Sequence, residues 1–475
     1  MSTHVAIVGA YGSAGGAVAK QLADDPGIEL TLIDDGDPGG GLCILRGCMP
    51  SKEVISAAKH RFAARRDDRL VGDLPEIDLD RTIERKNEHT SNWAGHRRSG
   101  VESLAERENV ELVRETATFV DDRVIEVGDR TIEPDYVVIA TGSTPSVPPV
   151  DGIEDVPLNT SADVLDATEF EDSAIVLGLG YIGLELAPYL SEAGDMDVTA
   201  IEVLPELLPE ADDGFGTELA EYYREEFDMD ILLDAQASQV EETDDGGVRV
   251  TVDVDGDTEV VEADQLFTFT GRDPALDGLG IENTSLSPGE DWVKDTMQTA
   301  DDDRVFVVGD ANGREPILHV SKEQAATAAT NIQSHLDGDG LTEYEPLHHH
   351  VMFSGLARLP FVRVGHSADS AEEAGLDYIA VDARAENDGV FKAKDASEGW
   401  ARLVVAPDGT VLGYQGLHYH ADAMAKTMQM AVEMELDVRE IPHRAYHPTT
   451  PEILDALFRK ASEKLAERDE ATATQ

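Results

Sequence analysis

The chain has 475 residues, enough for about three domains, each with its own core. Its 97 Asp and Glu face only 37 Lys and Arg, and the net charge of −60 repels nucleic acid and anionic membranes. No apolar run approaches the ~20 residues of a membrane span, so neither a nucleic-acid nor a membrane protein is expected. The acids are spread along the whole chain, which predicts a halophilic surface. In molar salt the Debye length is only about 3 Å and such self-repulsion is screened. The N-terminus, MSTHVAIVGAYGSAGG, enters a strand pattern with no basic leader segment, and a cytoplasmic location is predicted. In that compartment the only two cysteines read as a catalytic or metal-binding pair better than as a structural bridge.

In chain order, residues 4–8 (HVAIV) form a short buried-strand pattern that runs into Gly9, Gly12 and Gly15 and then a helix. A second apolar run, residues 30–33, ends in Asp34. This is a βαβ unit in which glycines let the backbone approach a pyrophosphate and a terminal acid accepts from a ribose hydroxyl. The turn is one residue longer than G-x-G-x-x-G, and Tyr11 reads as the insertion. Next comes GGGLCILRGCMPSK, which holds Cys43, Arg46, Cys48 and Lys52. Two thiols five residues apart can close a small ring if the local helix is distorted, and the glycine-rich entry permits that. A helical segment is expected from Ser51 to about Arg107. Residues 135–141 (DYVVIAT) then read as a strand that ends at Thr141 and Gly142.

The βαβ pattern recurs at residues 173–177 (SAIVL), followed by Gly178, Gly180 and Gly183 in a clean G-x-G-x-x-G, then a helix carrying Glu185. The next strand ends in Glu202, 24 residues after Gly178. An acid there attracts the free ribose hydroxyl of NAD and repels the 2′-phosphate of NADP, and no Arg occurs in the following VLPELLPEADD. NADH is therefore the expected nicotinamide, with NADP a possible substitute. Two further strands close on ligand-facing loops, one at Gly271 and Arg272 and one at Gly309 and Asp310. The predicted fold class is α/β, with two Rossmann-like dinucleotide domains and a C-terminal α+β domain.

These pieces, with His447-Pro-Thr-Thr-Pro-Glu452 near the end, resemble the pyridine-nucleotide disulfide oxidoreductases, the flavoenzyme family of dihydrolipoyl dehydrogenase, glutathione reductase and mercuric reductase. The resemblance spans nearly the whole chain and is most similar to haloarchaeal dihydrolipoyl dehydrogenases. It implies an FAD-binding domain with the redox disulfide (1–150), an NAD(P)-binding domain (151–285), a return to the FAD domain (286–345) and a dimerisation domain (346–475). It implies FAD at the first glycine turn, with Gly9, Gly12, Gly15, Asp34, Thr141, Gly142, Gly309 and Asp310 around it. Lys52 would lie near the flavin with Glu185 as its carboxylate partner, NAD would lie at Gly178, Gly180, Gly183 and Glu202, and Gly271 and Arg272 would be cofactor-binding.

By the same resemblance Cys48 is the flavin-facing thiol and Cys43 the exchange thiol. His447, oriented by Glu452, is the acid–base group and acts across a homodimer. An exchange thiolate is expected to be favoured by nearby positive charge. The implied reaction is dihydrolipoamide + NAD⁺ to lipoamide + NADH, on lipoyl groups carried by a separate protein. An alternative is reduction of a small disulfide such as bis-γ-glutamylcystine. The chain departs from the dihydrolipoyl dehydrogenase pattern at Arg46, at Ala445-Tyr446-His447 and at Leu417-His-Tyr-His420. Mercuric reduction is rejected because no cysteine follows Cys48. A non-catalytic redox sensor and a metal site at His348–His350 or His418 and His420 are the rivals; histidines in strands and loops are more often structural, and no metal is expected.

Overall fold

The structure, a computed structural model, describes residues 2–254, 256–345, 350–352, 356, 358–442, 444 and 446–473. It divides into two compact units. One comprises Met1–Val54, Asp80–Ser146 and Gly271–Pro346, the other Ile55–Leu79, Val147–Thr270 and Leu347–Gln475.

The first unit is built on a parallel sheet in the order Val305–Val307, Tyr136–Ile139, Thr3–Val8, Ile28–Ile33, Val110–Val113. Its strands are short β-branched runs, and Val5, Ala6 and Ile7 are fully buried. A strand buried on both faces must be apolar throughout, which is why HVAIV does not alternate. The helices Ser13–Leu22 and Leu318–Asp337 supply Val18, Leu22, Ala325 and Ile332 to one of its cores. The register Val8↔Ile33, Val8↔Ile139 and Val307↔Ile139 brings the strand ends level. Gly9, Asp34, Thr141 and Gly309 therefore all emerge at the same carboxyl edge, where open α/β sheets hold their ligands. From Thr3–Val8 the chain builds first to one side, at Ile28–Ile33, and later to the other, at Tyr136–Ile139, so the end of this strand is the switch point of the sheet.

The second unit repeats the plan. Its parallel sheet runs Asp230–Leu232, Asp197–Ile201, Ser173–Leu177, Gln265–Thr268, Leu158–Asn159. The same unit contains an antiparallel sheet in the order His350–Met352, Phe361–Gly365, Val411–His418, Gly399–Val405, Ile379–Arg384. Helices Ala421–Glu433 and Glu452–Ala473 bury Met424, Met428, Leu457 and Phe458 in one core with Val364, Leu403 and Tyr414 of that sheet. Each such side chain taken out of water contributes about 1.5–3 kcal/mol.

The expected helical segment from Ser51 to about Arg107 is made of two helices, Cys48–Arg66 and Leu79–Leu104. Gly72, with φ +119, and Pro75 lie in the non-helical segment between them, and neither suits a helix interior. The first helix starts at Cys48 itself. Its second half, in the second unit, stacks Phe62 on Phe227 at 5.0 Å and places Arg61 and Arg65 on the buried Glu192 carboxylate. A buried carboxylate persists only when paired in this way. Among the described residues no helix is long and apolar enough to cross a membrane.

Candidate active site

Gly9 turns the chain at φ +92, and a Cβ there would stand 2.2 Å from the Ala140 carbonyl oxygen. Gly15 is as tightly constrained, with its Cβ position 2.3 Å from the Gly9 carbonyl oxygen. Gly12 is the N-cap of Ser13–Leu22, so the turn opens onto a helix N-terminus that favours negative charge. Asp34 accepts hydrogen bonds from the Tyr11 N–H at 2.8 Å and the Gly36 N–H at 3.0 Å. Burial pushes its pKa up against those two bonds.

The second turn has the same anatomy. Gly178 has φ +91, Gly180 caps the helix Tyr181–Gly194, and a Cβ on Gly183 would lie 2.2 Å from the Gly178 carbonyl oxygen. Glu202 accepts from the Leu179 N–H at 2.6 Å and the Leu204 N–H at 3.0 Å. The Tyr11–Asp34 bond thus corresponds to Leu179–Glu202. Tyr11 is therefore not the inserted residue; the extra one is Ala10, whose N–H joins that of Gly9 on the Ile33 carbonyl.

The rest of the first site comes from three separated segments. The Ser143 hydroxyl donates to Asp310 at 2.6 Å, and Arg272 donates to the Ser143 hydroxyl at 2.8 Å and its carbonyl at 2.6 Å. Burial lowers the Arg272 pKa and Asp310 opposes that. Gly142 and Gly271 have φ +78 and +102 and open space where a Cβ would stand. Gly309 donates its N–H to Gln324 at 2.9 Å. The hydroxyls of Thr141 and Tyr11 are buried without a hydrogen-bond partner. A buried hydroxyl left so costs about 1–3 kcal/mol, and a polar ligand at the strand ends would remove that cost. Glycine cradle, helix N-terminus, Asp34 and unpartnered Thr141 together fit FAD. Gly9→Ala is expected to cost about 3 kcal/mol and to abolish FAD retention, since the carbonyl contact and the positive φ both resist a Cβ. Denaturant unfolding and FAD content in molar salt check this; a variant as stable and as yellow as the wild type would refute the close approach.

The redox loop enters at Gly41, φ +77, forms one helical turn, Leu42–Leu45, and restarts as a helix at Cys48. Cys43 is half-buried and Cys48 more exposed. The Cys43 thiol hydrogen-bonds with Cys48, and this bond and burial raise its pKa while Arg97 acts to lower it. The expected positive charge is therefore present, but in this dithiol state it is outweighed, and it comes from Arg97. Arg46, the arginine between the cysteines, is exposed. Arg97 and its neighbour Arg98 were missed in the sequence; their only local signal is a pair of adjacent bases on a helix in a strongly acidic chain. Lys52 donates to the Ser51 hydroxyl at 3.3 Å, and Glu185 is half-buried near Tyr223.

In the second unit His447 Nδ1 lies 2.8 Å from Glu452 Oε1, which also accepts from the Thr449 N–H at 3.3 Å. The bond assigns the proton to Nδ1 and leaves Nε2 for proton exchange. The His447 side chain is 77% exposed. His420 Nδ1 is 3.2 Å from the Thr450 hydroxyl, and so bears on the same loop. His418 is a core residue: Nε2 meets the Tyr414 hydroxyl at 2.8 Å, Nδ1 meets the Tyr419 carbonyl at 3.1 Å, and burial lowers its pKa to about 4. Among the described residues no three His, Cys, Asp or Glu side chains gather as a metal site. His348 and His349 lie outside the described residues.

Comparison with known proteins agrees with this layout. Residues 3–331 match the pyridine nucleotide-disulphide oxidoreductase family, and residues 354–457 match that family's dimerisation domain. The chain is 29% identical over 467 residues to a dihydrolipoyl dehydrogenase of Haloferax volcanii, covering 95% of this chain and 94% of that one. It is 29% identical over 473 residues to the dihydrolipoyl dehydrogenase of Geobacillus stearothermophilus, covering 95% of each. Among solved structures it is similar to the HOCl-induced flavoprotein disulfide reductase RclA from Escherichia coli, determined as a Cu(II) complex, at TM-score 0.78 and 25% identity over 96% of this chain and 99% of that one. Two glycine turns at two sheet edges, a vicinal thiol pair and a closing dimerisation domain have one common explanation: the chain belongs to the pyridine nucleotide-disulphide oxidoreductases, the FAD- and NAD(P)-dependent disulfide oxidoreductases.

Proposed function

We propose that the enzyme oxidises dihydrolipoamide with NAD⁺, giving lipoamide, NADH and a proton, and that it works as a homodimer on lipoyl groups carried by a separate protein. The observation that carries this reading is the Cys43–Cys48 thiol pair in hydrogen-bond contact at the head of a helix. The relatives that are dihydrolipoyl dehydrogenases along 95% of the chain support the choice of substrate. In domain terms, 1–150 with 286–345 would hold FAD, 151–285 the nicotinamide and 346–475 the subunit interface, except that residues 271–285 belong to the first unit and go with FAD.

FAD, when bound, supplies two-electron transfer between the thiol pair and the nicotinamide. The protein's own groups do the rest. With the cysteines oxidised, His447 Nε2 takes a proton from one substrate thiol, and Glu452 steadies the resulting imidazolium through Nδ1–H. The substrate thiolate attacks Cys43 Sγ, the Cys43–Cys48 bond breaks, and Cys48 leaves as a thiolate. His447 releases the first proton to solvent and takes that of the second substrate thiol, whose thiolate attacks the sulfur joined to Cys43. Lipoamide closes, Cys43 is released, and two electrons remain on the cysteine pair. Asp34 and Glu202 orient ribose hydroxyls at the two nucleotide sites through lone pairs their amide bonds leave available.

The nicotinamide preference follows from charge. Glu202→Gln keeps the acceptor for one loop amide and removes the charge that repels a 2′-phosphate. The ratio of kcat/KM for NADH over NADPH is expected to fall about tenfold, or ~1.4 kcal/mol. An unchanged ratio would mean Glu202 does not read the ribose.

The overall reading is tested by steady-state turnover of the FAD-loaded protein in molar KCl. Fast NAD⁺ reduction by dihydrolipoamide supports it. Failure with lipoyl substrates, with NAD(P)H reducing bis-γ-glutamylcystine instead, would transfer the same residues to a small carboxylated disulfide. The exposed Arg46 between the two cysteines favours that second reading.

A further inference from the structure

We infer that Arg97 is a further residue of the thiol-exchange site: clamped to the glycine turn beside the redox loop, its guanidinium stabilises the thiolate of Cys43. The inference rests on the disulfide-exchange reading of Cys43.

The helix Leu79–Leu104 meets the loop through residues 94, 97 and 98, spaced to share one face. Ala94 is fully buried, and a Cβ on Gly40 would stand 3.0 Å from its methyl group. Arg98 donates to the Gly39 carbonyl at 2.9 Å. Arg97 Nη1 donates to the Ser13 hydroxyl at 3.2 Å and to the Tyr11 carbonyl at 3.4 Å. That same Tyr11 oxygen lies 3.2 Å from the Cβ position of Gly41, two residues before Cys43, and the Gly12 Cα lies 3.0 Å from it. Arg97 therefore bonds the carbonyl that the entry to the redox loop passes closely at Gly41.

Two consequences follow. The guanidinium is held, so its charge does not have to be ordered when the thiolate forms, and both bonds use Nη1, one part of a group with five donors. The charge of Arg97 favours the thiolate form of Cys43, against burial and the bond to Cys48. Two arginines facing the loop are notable in a chain with 97 acids and 37 bases, because a thiolate in a strongly negative field needs a local positive charge.

The test uses FAD-loaded protein carrying Cys48→Ser, so that Cys43 is the one thiol and its alkylation by iodoacetamide can be followed against pH. Adding Arg97→Gln is expected to slow alkylation at neutral pH about tenfold and to move its midpoint up by about one pH unit, with FAD content unchanged. Arg97→Lys, which keeps the charge, should recover most of the rate. Unchanged alkylation in Arg97→Gln overturns the inference. So does a slowing that Lys fails to recover, which would mark a purely structural clamp, and so does a slowing that only accompanies loss of FAD. The exchange reading is checked separately, by which cysteine of the NADH-reduced wild type takes the label first. Label on Cys48 would sink that reading and leave the Arg97 measurement standing.

Discussion

Cys43→Ser is expected to abolish turnover with any disulfide or dithiol substrate, while NADH still bleaches the visible flavin band. The two half-reactions use different atoms. Exchange needs a sulfur nucleophile at residue 43, and a serine hydroxyl at neutral pH is neither ionised nor able to form the mixed disulfide. Flavin reduction by NADH depends on the two nucleotide sites, whose bonds include those of Tyr11 to Asp34, Leu179 to Glu202, and Ser143 to Asp310. The loss in kcat should therefore reach the detection limit, four orders of magnitude or about 5 kcal/mol. Stopped-flow reduction of the flavin and steady-state lipoamide turnover separate the two. Lipoamide turnover that survived Cys43→Ser would mean that the exchange thiol is Cys48, and the assignment of the pair would be reversed.

His447→Gln should lower kcat by about a hundred- to ten-thousandfold, the usual worth of a positioned proton carrier. Glu452→Gln should cost less, about tenfold, because the amide can still accept from Nδ1–H and hold the ring without stabilising its charge. The 2.8 Å bond between the two and the Thr449 N–H on the same carboxylate oxygen form one small unit, so the double variant should be no worse than His447→Gln alone. NADH-dependent flavin reduction again stays intact in each. Steady-state kinetics over pH give the readout. A full-rate His447→Gln enzyme would remove the imidazole from the mechanism.

The parts of this site that could be read from the chain are those whose chemistry is local. A glycine turn between a strand and a helix is contiguous, and so are the acids that end the following strands; the Gly9 and Gly178 turns and their partners Asp34 and Glu202 were all visible. The thiol loop and the His447-to-Glu452 spacing are likewise short. Gly72 and Pro75 also stood in plain view as helix breakers, and a closer reading would have divided the segment after Cys48. Other features had no local signature. For His418 a structural role is expected over the rival metal site with His420, but its partners are not: its strand turns it into a core where the Tyr414 hydroxyl and the Tyr419 carbonyl take both nitrogens. Ala10 and Tyr11 could not be told apart as the extra residue until the bonds to Asp34 and Ile33 were known.

The sequence by itself determined the two glycine-turn strand–helix units, the thiol pair and the His447–Glu452 pair, because each depends on backbone conformation or on residue chemistry within a few positions. Tertiary structure alone decided what surrounds them. Parallel register levels four strand ends and so gathers Gly9, Asp34, Thr141 and Gly309 at one edge; bonds then join Ser143 to Arg272 and to Asp310, each more than a hundred residues away from it. The arginine that serves Cys43 comes from a helix whose contact with the loop is made by packing, at Ala94 and Gly40. Charge acts through space, and only the folded chain sets which charges are near.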